Sequence, residues 1–321
     1  MQEIFDNIVE AIKYADGSFP VDLLLEGKII TTSNYFSAME IDGKICALKT
    51  GSLMQPNFFR GEKRIYPSII PSIYRTENKI DILISKLKIK ELELTLKNFQ
   101  NISDDLKSKV DVDFLALAQH YGLNTNLIDI TSNILVAAFF ATNNCDENYS
   151  LQEEGIGVLR LFPTSYIFEN GTLNKDSRFH FEGIQPFKRP AIQDALGFEI
   201  YENEDISSMF SSIKFRQSKK YNSLIRNQFC FENQCILFPQ ELISDISIKI
   251  KSSKIISKKA IEEFCRENNL DIKDIESTLK NKIKIVAYPI FKIGLKEREI
   301  YAKELQKNNY FVTSRLIYNN N

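Results

Sequence analysis

Two side chains stand out as suited to chemistry. His120 lies near the end of a predicted helix, where an imidazole can act as an acid, a base or a ligand donor. The same position favours a structural role, in which the ring donates to the last carbonyl groups of the helix. Asp129 stands between Ile128 and Ile130 on a predicted buried strand, so its carboxylate must find a partner. Arg60, His120 or a ligand could each be the partner of the Asp129 carboxylate.

Other sites for chemistry are few. His180-Phe181-Glu182 holds a second acid and base close together and is an alternative pair. The sequence has no GxGxxG, GxxxxGK[ST], GxSxG or HExxH motif, which argues against the nucleotide-binding folds, serine hydrolases and zinc proteases that carry them. The five cysteines are scattered without a CxxC pair and lie far from both histidines, so we expect no metal site and reduced thiols.

Composition sets the class of protein. The 321 residues are 43% hydrophobic and 26% charged, as in a globular protein, and 41 Lys and Arg nearly balance 42 Asp and Glu. No global positive field exists to attract nucleic acid, although the basic clusters at 214–220 and 249–259 leave a local patch open. Residues 1–17 predict an amphipathic helix rather than a secretory signal, and the longest apolar run, 134–141, is too short to span a membrane. We expect a cytoplasmic protein.

The elements that must position these residues are mixed. Hydrophobic periodicity predicts an α+β fold, with helices before and after a largely antiparallel sheet. Asp111 or Asp113 is expected to cap a helix that ends at Gly122, and Thr131-Ser132 to cap the next one. The predicted helices cover 78–98, 133–142, 211–226, 257–268 and 296–308, and the predicted strands cover 57–61, 127–130, 155–162, 229–238, 246–250 and 285–291, after a β meander at 23–48.

Three segments resemble the FRG domain family. Phe59-Arg60-Gly61, with Pro71-Ser72-Ile73-Tyr74-Arg75 after it, is similar to the family's FRG and PSLxR-like stretches. The run AQHYGLNTNLIDIT at 118–131, followed by LVAAFFA at 135–141, resembles the family's AQHYGLPTRLLDWT and NPLVALFFA. The family's later RIxxQxGLF has two possible counterparts. We prefer the one that contains Gln228, because a strand, a proline and a terminal helix follow it; the other is Arg189-Pro190-Ala191-Ile192-Gln193.

A more distant resemblance links the same segments to ADP-ribosyltransferases. It implies a split antiparallel sheet in which Arg60 holds the phosphates of NAD and Gly61 permits close approach. Asp129-Ile130-Thr131, with the helix after it, would shape the nicotinamide pocket, and Gln228 at the head of a later strand would complete the site. Tyr121 would stack on a base, and His120 would bind ribose or move a proton. A glutamine offers only a dipole to an oxocarbenium-like state, where a carboxylate stabilises best.

Structural alternatives accompany these roles. Arg60 could pair with Asp129, Tyr121 could be packing, and Gln228 could be an ordinary polar residue of a strand. The resemblance implies an NAD-dependent transferase that modifies a macromolecular acceptor, protein or nucleic acid, in the setting of a bacterial toxin or anti-phage defence. The alternative is a non-catalytic module that senses a nucleotide or binds a partner. The predicted organisation is a helix and meander at 1–48, the FRG domain at 49–275 and a strand-helix extension at 276–321.

Overall fold

The computed structural model of the protein describes residues 4–30, 35–41, 43–146, 148–169, 172–173, 178–232, 234–288 and 311–317. Its strands are β1 (Ile4–Phe5), β2 (Tyr35–Ile41), β3 (Lys44–Lys49), β4 (Asn57–Glu62), β5 (Leu127–Thr131), β6 (Ile156–Pro163), β7 (Phe168–Glu169), β8 (Thr172–Leu173), β9 (Phe179–His180), β10 (Ala195–Glu199), β11 (Ser211–Arg216), β12 (Cys230–Phe231), β13 (Gln234–Cys235), β14 (Ile255–Ser257), β15 (Lys284–Val286) and β16 (Phe311–Ile317). Its α-helices are α1 (Ile8–Ala15), α2 (Val21–Leu25), α3 (Lys79–Leu96), α4 (Gln100–Lys107), α5 (Phe114–His120), α6 (Ile134–Thr142), α7 (Lys188–Ile192), α8 (Lys219–Phe229), α9 (Leu242–Ser252), α10 (Lys258–Asn268) and α11 (Ile272–Leu279).

The largest sheet among these strands has the order β1-β11-β6-β4-β5-β10-β9. Only its β1–β11 pair is parallel; the other neighbours run antiparallel. β4 and β5 meet through a single register pair, Phe59 with Thr131, so the two strands diverge beyond it. This divergence at the centre of the sheet leaves room between neighbouring strands for polar side chains.

Two hydrophobic clusters cover the sheet. Phe59 packs into one that contains α1, α6 and α8, whereas its neighbour Phe58 packs into the other, with β2, β3 and β10. This alternation is what a strand buried on both faces requires. Further clusters join α3 to α5 and α9, and α3 to α10. The protein therefore has the α+β class that the sequence predicted.

Several predicted elements are confirmed. α3, α6 and α10 cover the predicted helices, and β4, β5 and β6 the predicted strands. Asp113 caps α5, since its Oδ1 accepts from the Ala116 N–H at 2.8 Å. Asn133 caps α6 in place of the expected Thr131-Ser132, because its Oδ1 accepts from the Leu135 N–H at 3.0 Å.

Predictions for the second half of the chain are partly wrong. Residues 211–226 form strand β11 and then α8; buried Ile213 and Phe215 alternate in β11, which is a strand period. The predicted strand 229–238 is the end of α8 followed by the hairpin β12–β13. The predicted strand 246–250 lies inside α9, whose buried Ile243, Ile246 and Ile250 are spaced as on a helix.

The ends of the chain differ from expectation as well. The predicted meander is a β2–β3 hairpin preceded by helix α2. β1 is an edge strand of the large sheet and α1 packs in its core, so these two N-terminal elements are integrated with the sheet. The predicted helix 296–308 lies outside the described residues, as does the end of the predicted strand 285–291. The proposed domain boundaries stay predictions.

Candidate functional site

A cavity of about 670 Å³ opens where β4, β5, α6 and the start of β10 meet. Its wall contains five of the seven residues that the sequence predicted for the site: Arg60, Gly61, His120, Asp129 and Thr131. Tyr121 and Gln228 do not contribute to it, whereas Gln193, the alternative to Gln228, does. The segments joined by the family resemblance therefore meet at one place.

Arg60 lies on β4 with its side chain about one-fifth exposed. Its Nη1 donates to the backbone carbonyl of Asp129 at 2.9 Å, and its Nε lies 3.3 Å from Oε1 of Glu62. The other Glu62 oxygen accepts from Nε of the buried Arg160 at 2.8 Å. The alternative in which Arg60 forms an ion pair with Asp129 is not observed: Glu62 is the carboxylate that holds Arg60, and the contact with Asp129 is to its backbone.

The Asp129 carboxylate is only half satisfied. Its Oδ2 accepts from Nε2 of Gln119 at 3.2 Å, while its Oδ1 is buried and has no hydrogen-bond partner among the described residues. The orientation of the Gln119 amide is fixed, because its Oε1 accepts from the hydroxyl of Thr125. A buried oxygen without a donor destabilises the folded chain unless a ligand supplies one. Asp129 is therefore a residue of the cavity wall whose carboxylate keeps one unsatisfied oxygen among the described residues.

His120 contacts a carboxylate that the sequence did not connect with it. Its Nε2 is hydrogen-bonded to Oε2 of Glu182, and both side chains are buried. Burial alone would lower the pKa of His120, but the adjacent Glu182 carboxylate outweighs this and raises it above its ordinary value. Burial also raises the pKa of Glu182, and His120 offsets this only in part. The pair therefore retains its proton more strongly than either group would in water.

The alternative acid/base pair, His180 with Glu182, does not form. Nδ1 of His180 lies 2.5 Å from Oδ2 of Asp113, and its Nε2 lies 3.9 Å from Glu199. Burial lowers the pKa of His180, but its hydrogen bond to Asp113 outweighs this and raises the pKa to about 10. His180 belongs to an ion pair at the N-terminus of α5 and is not part of the cavity wall.

Gly61 and Thr131 hold the frame of the site. A Cβ added at Gly61 would lie 1.8 Å from the carbonyl oxygen of Ala137, so α6 packs directly on the backbone of β4. Of the two expected uses of Gly61, close approach of backbone or of ligand, the structure displays the first. The Thr131 hydroxyl donates to the carbonyl of Gln193 at 2.7 Å and accepts from the Asn133 N–H at 3.0 Å, which ties β5 to α6 and to the start of β10.

Tyr121 has the packing role that the sequence left open. Its side chain is buried, and its hydroxyl donates to Glu241. The ring meets Phe187 edge-on at 6.0 Å, and the guanidinium of Arg189 lies 4.4 Å from its centroid. No face of the ring borders the cavity, so stacking on a ligand base is not supported.

Gln228 lies in the last turn of α8, not at the head of a strand. Its Oε1 accepts from the Ile30 N–H at 2.9 Å and its Nε2 donates to the Lys28 carbonyl at 3.0 Å, so the amide fastens the N-terminal segment. Gln193 follows α7 and lies two residues before β10, and β10 pairs with β5 in the large sheet. Its Nε2 donates to the carbonyl of Leu237 at 2.8 Å. Gln193, the alternative counterpart of the family's glutamine, is therefore the one that lies at the cavity.

Positive charge prevails at the cavity. Arg60, Lys63, Arg64 and Arg75 line it, against the carboxylates of Glu62 and Asp129, and Glu62 already pairs with two arginines. Arg64 and Arg75 are exposed. This arrangement suits an anionic ligand, since guanidinium groups bind phosphate through paired hydrogen bonds.

Two kinds of site are not found in the described part of the chain. No group of three or more His, Cys, Asp and Glu side chains there is placed to hold a metal ion. No helix there combines the length and the apolar character needed to cross a bilayer.

Comparison with known proteins gives one match. No curated protein and no solved structure matches this chain. Residues 55–150 match the family model of the FRG domain. The matched segment includes β4, α5, β5 and α6, and every site residue predicted from the sequence except Gln228. The match supports the assignment of this segment to the FRG family.

Proposed function

We propose that this protein binds NAD in the cavity and acts as an ADP-ribosyltransferase-like enzyme on a macromolecular acceptor. The observation that carries the proposal is the convergence of Arg60 from β4, Asp129 from β5 and Gln193 from the segment before β10. One buried oxygen of the Asp129 carboxylate has no hydrogen-bond partner in the described part of the chain. A split-sheet core of the transferase type is part of the same proposal. The setting of a toxin or an anti-phage effector is supported by the resemblance alone.

The charges fit the chemistry of such a reaction. Arg60, with the exposed Arg64 and Arg75, would hold the pyrophosphate. The bond between nicotinamide and ribose breaks through an oxocarbenium-like state, nicotinamide leaves with the bonding electrons, and an acceptor atom bonds to the ribose carbon as it loses its proton. Asp129 would stabilise the positive charge on the ribose, because its Oδ1 has no competing donor among the described residues.

A second function is favoured by the state of Gln193. Gln193, which lies just before β10, carries an amide rather than a carboxylate, and its Nε2 already donates to the carbonyl of Leu237. A site of this kind would bind a nucleotide without turnover. This is the non-catalytic sensing or partner-binding module.

The test measures binding and turnover separately. The purified protein is incubated with NAD labelled in its adenylate part and with the protein and nucleic-acid fractions of a lysate, and nicotinamide release, label transfer and NAD affinity are measured. Asp129→Asn should abolish transfer while NAD still binds. The matched control Asp104→Asn, at an exposed carboxylate on α4, should leave transfer unchanged.

The outcomes distinguish the two functions. Transfer that is lost in Asp129→Asn supports the enzyme. Binding of NAD without turnover, with any acceptor, supports the sensing module. Absence of both binding and turnover rejects NAD as the ligand.

A further inference from the structure

We propose that Glu182 is a positioning residue that fixes the His120 imidazole in the cavity wall as a charged hydrogen-bond donor to a phosphate-bearing ligand. The inference rests on the proposed function, since it concerns the same cavity. It adds a positioning role for Glu182, and it makes His120 a donor to phosphate where the resemblance implied ribose binding or proton transfer. The expected ligand class is a nucleotide with a diester pyrophosphate, of which ADP-ribose is the simplest probe.

The geometry leaves one ring nitrogen of His120 for a ligand. Nε2 is taken by Oε2 of Glu182, a side chain with 0% exposure. No described residue makes a hydrogen bond to Nδ1, and His120 is part of the cavity wall. With Nε2 held, the ring cannot turn freely. Its second N–H therefore remains available to a ligand at a fixed place.

A glycine leaves space for the carboxylate of Glu182. Gly197 of β10 lies beside it, and a Cβ added there would come within 2.5 Å of Oε1 of Glu182. Gly197 is also the register partner of Asp129 on β5. The backbone of β10 thus brings Glu182 and His120 next to the strand that carries Asp129.

The surrounding charges favour the imidazolium. The charged groups that act on His120 are Glu182 and Asp129, which raise its pKa, and Arg189, which lowers it. Asp129 and Asp113 act in turn on Glu182 and raise its pKa. Burial opposes a charge on His120, but the Glu182 carboxylate outweighs that effect, so the ring carries its proton above its ordinary pKa.

A purely structural role explains the pair poorly. A buried ion pair is weak support for a fold, because apolar side chains of the same shape often stabilise as well. Oε1 of Glu182 also has no hydrogen-bond partner among the described residues, which destabilises the folded chain further. Such an arrangement in a cavity wall is typical of a functional group.

The pair can be observed without any ligand. The chain has two histidines, so NMR titration of the full-length protein gives two imidazole signals, and His180→Gln assigns them. We expect His120 to titrate above 6.5 in the unmodified protein, and below it in Glu182→Gln, where burial acts without the carboxylate. His180, with its pKa raised to about 10 by Asp113, is the internal reference. A His120 pKa at or below its ordinary value, or one that Glu182→Gln leaves unchanged, overturns the proposal.

A second variant covers the case in which Glu182→Gln does not fold. Gly197→Ala keeps both His120 and Glu182 but displaces the carboxylate of Glu182, since the new methyl group would meet Oε1. It should also lower the pKa of His120. An unchanged pKa in the folded variant counts against a carboxylate held at this distance.

The ligand part is tested with ADP-ribose, whose two phosphates stay ionised across the neutral range. We expect its affinity to fall about tenfold as the pH rises through the pKa of His120, and the midpoint to move to lower pH in Glu182→Gln. Binding that does not depend on pH overturns the role of His120 and leaves the proposed function standing. No binding of ADP-ribose at any pH overturns the ligand assignment, and the proposed function falls with it only if NAD shows neither binding nor turnover.

Discussion

Gln193 and Gln228, the two candidate counterparts of the glutamine in the family's RIxxQxGLF stretch, lie in different kinds of environment. Gln193 is part of the cavity wall, as is Asp129, whose Oδ1 has no hydrogen-bond partner among the residues that the structure describes. Gln228 lies in a closed region, where both ends of its amide are used by Lys28 and Ile30. The difference arises from the strand that follows: β10 joins the large sheet beside β5, whereas β12 pairs only with β13. Sheet position, not motif spacing, decides which residue reaches a site.

The same contrast separates the other predicted site residues. Arg60, His120 and Asp129 face the cavity, while Gly61 and Tyr121 are engaged mainly by packing and by satisfied hydrogen bonds. Substitutions in the closed region should therefore lower the free energy of unfolding and spare ligand binding. Substitutions of residues that face the cavity should weaken ligand binding or transfer and change the free energy of unfolding little.

The largest effect is expected for Gly61→Ala. The added methyl group would overlap the carbonyl of Ala137, and neither β4 nor α6 can move without disturbing the core. We expect a loss of at least about 3 kcal/mol in the free energy of unfolding, measured by urea denaturation. Gly17→Ala, where a new Cβ meets nothing within 4 Å, is the control and should be nearly neutral. Equal stability of the two variants would contradict the close packing of α6 on β4.

Gln228→Ala should come next. It removes two hydrogen bonds and leaves the Ile30 N–H and the Lys28 carbonyl without that partner, so we expect a loss of about 2 kcal/mol. Affinity for NAD or ADP-ribose should not change. Gln193→Ala, which removes one side-chain hydrogen bond, should lower stability less and alter affinity. If Gln228→Ala instead abolished ligand binding in a folded protein, Gln228 rather than Gln193 would be the site glutamine, as preferred from the sequence.

Tyr121→Phe should have a smaller effect on stability. The change keeps the ring and its contacts with Phe187 and Arg189 and removes only the hydrogen bond to Glu241. We expect a loss of about 1 kcal/mol in thermal or urea unfolding and unchanged ligand affinity. A change in affinity without a change in stability would place Tyr121 with the cavity residues.

Asp129→Asn should affect stability least, by less than about 1 kcal/mol, because an amide keeps an acceptor for Gln119 and removes an unpartnered charge. The expected effect on label transfer is a loss of about 100-fold or more, measured under saturating NAD. A large loss of stability here would mean that Asp129 belongs to the closed region after all.

The sequence predicted the framework of the site well and its partners poorly. The segment from Phe59 to Ala141 gave β4, β5, α6 and five cavity residues, because its buried strands and apolar helix have clear periods. The region 163–204 has no clear period, and there the short elements β9, α7 and β10 bring in Glu182 and Gln193. The contact of Glu182 with His120 spans 62 residues, and the carboxylate beside Arg60 belongs to Glu62 rather than to the alternative partner Asp129. Long-range pairing of this kind depends on strand order, which local patterns do not contain.

The three residues of the tripeptide Phe59-Arg60-Gly61 on β4 have three different structural roles. Phe59 fills a core cluster, Arg60 faces the cavity and Gly61 admits α6. Phe59 and Gly61 are thus required for folding, and a relative without ligand binding or activity would still need both residues. In a sequence survey, the tripeptide would accordingly identify the scaffold in active and inactive members alike. The middle letter, considered together with Asp129 and His120, is the part of the signature that the proposed function requires.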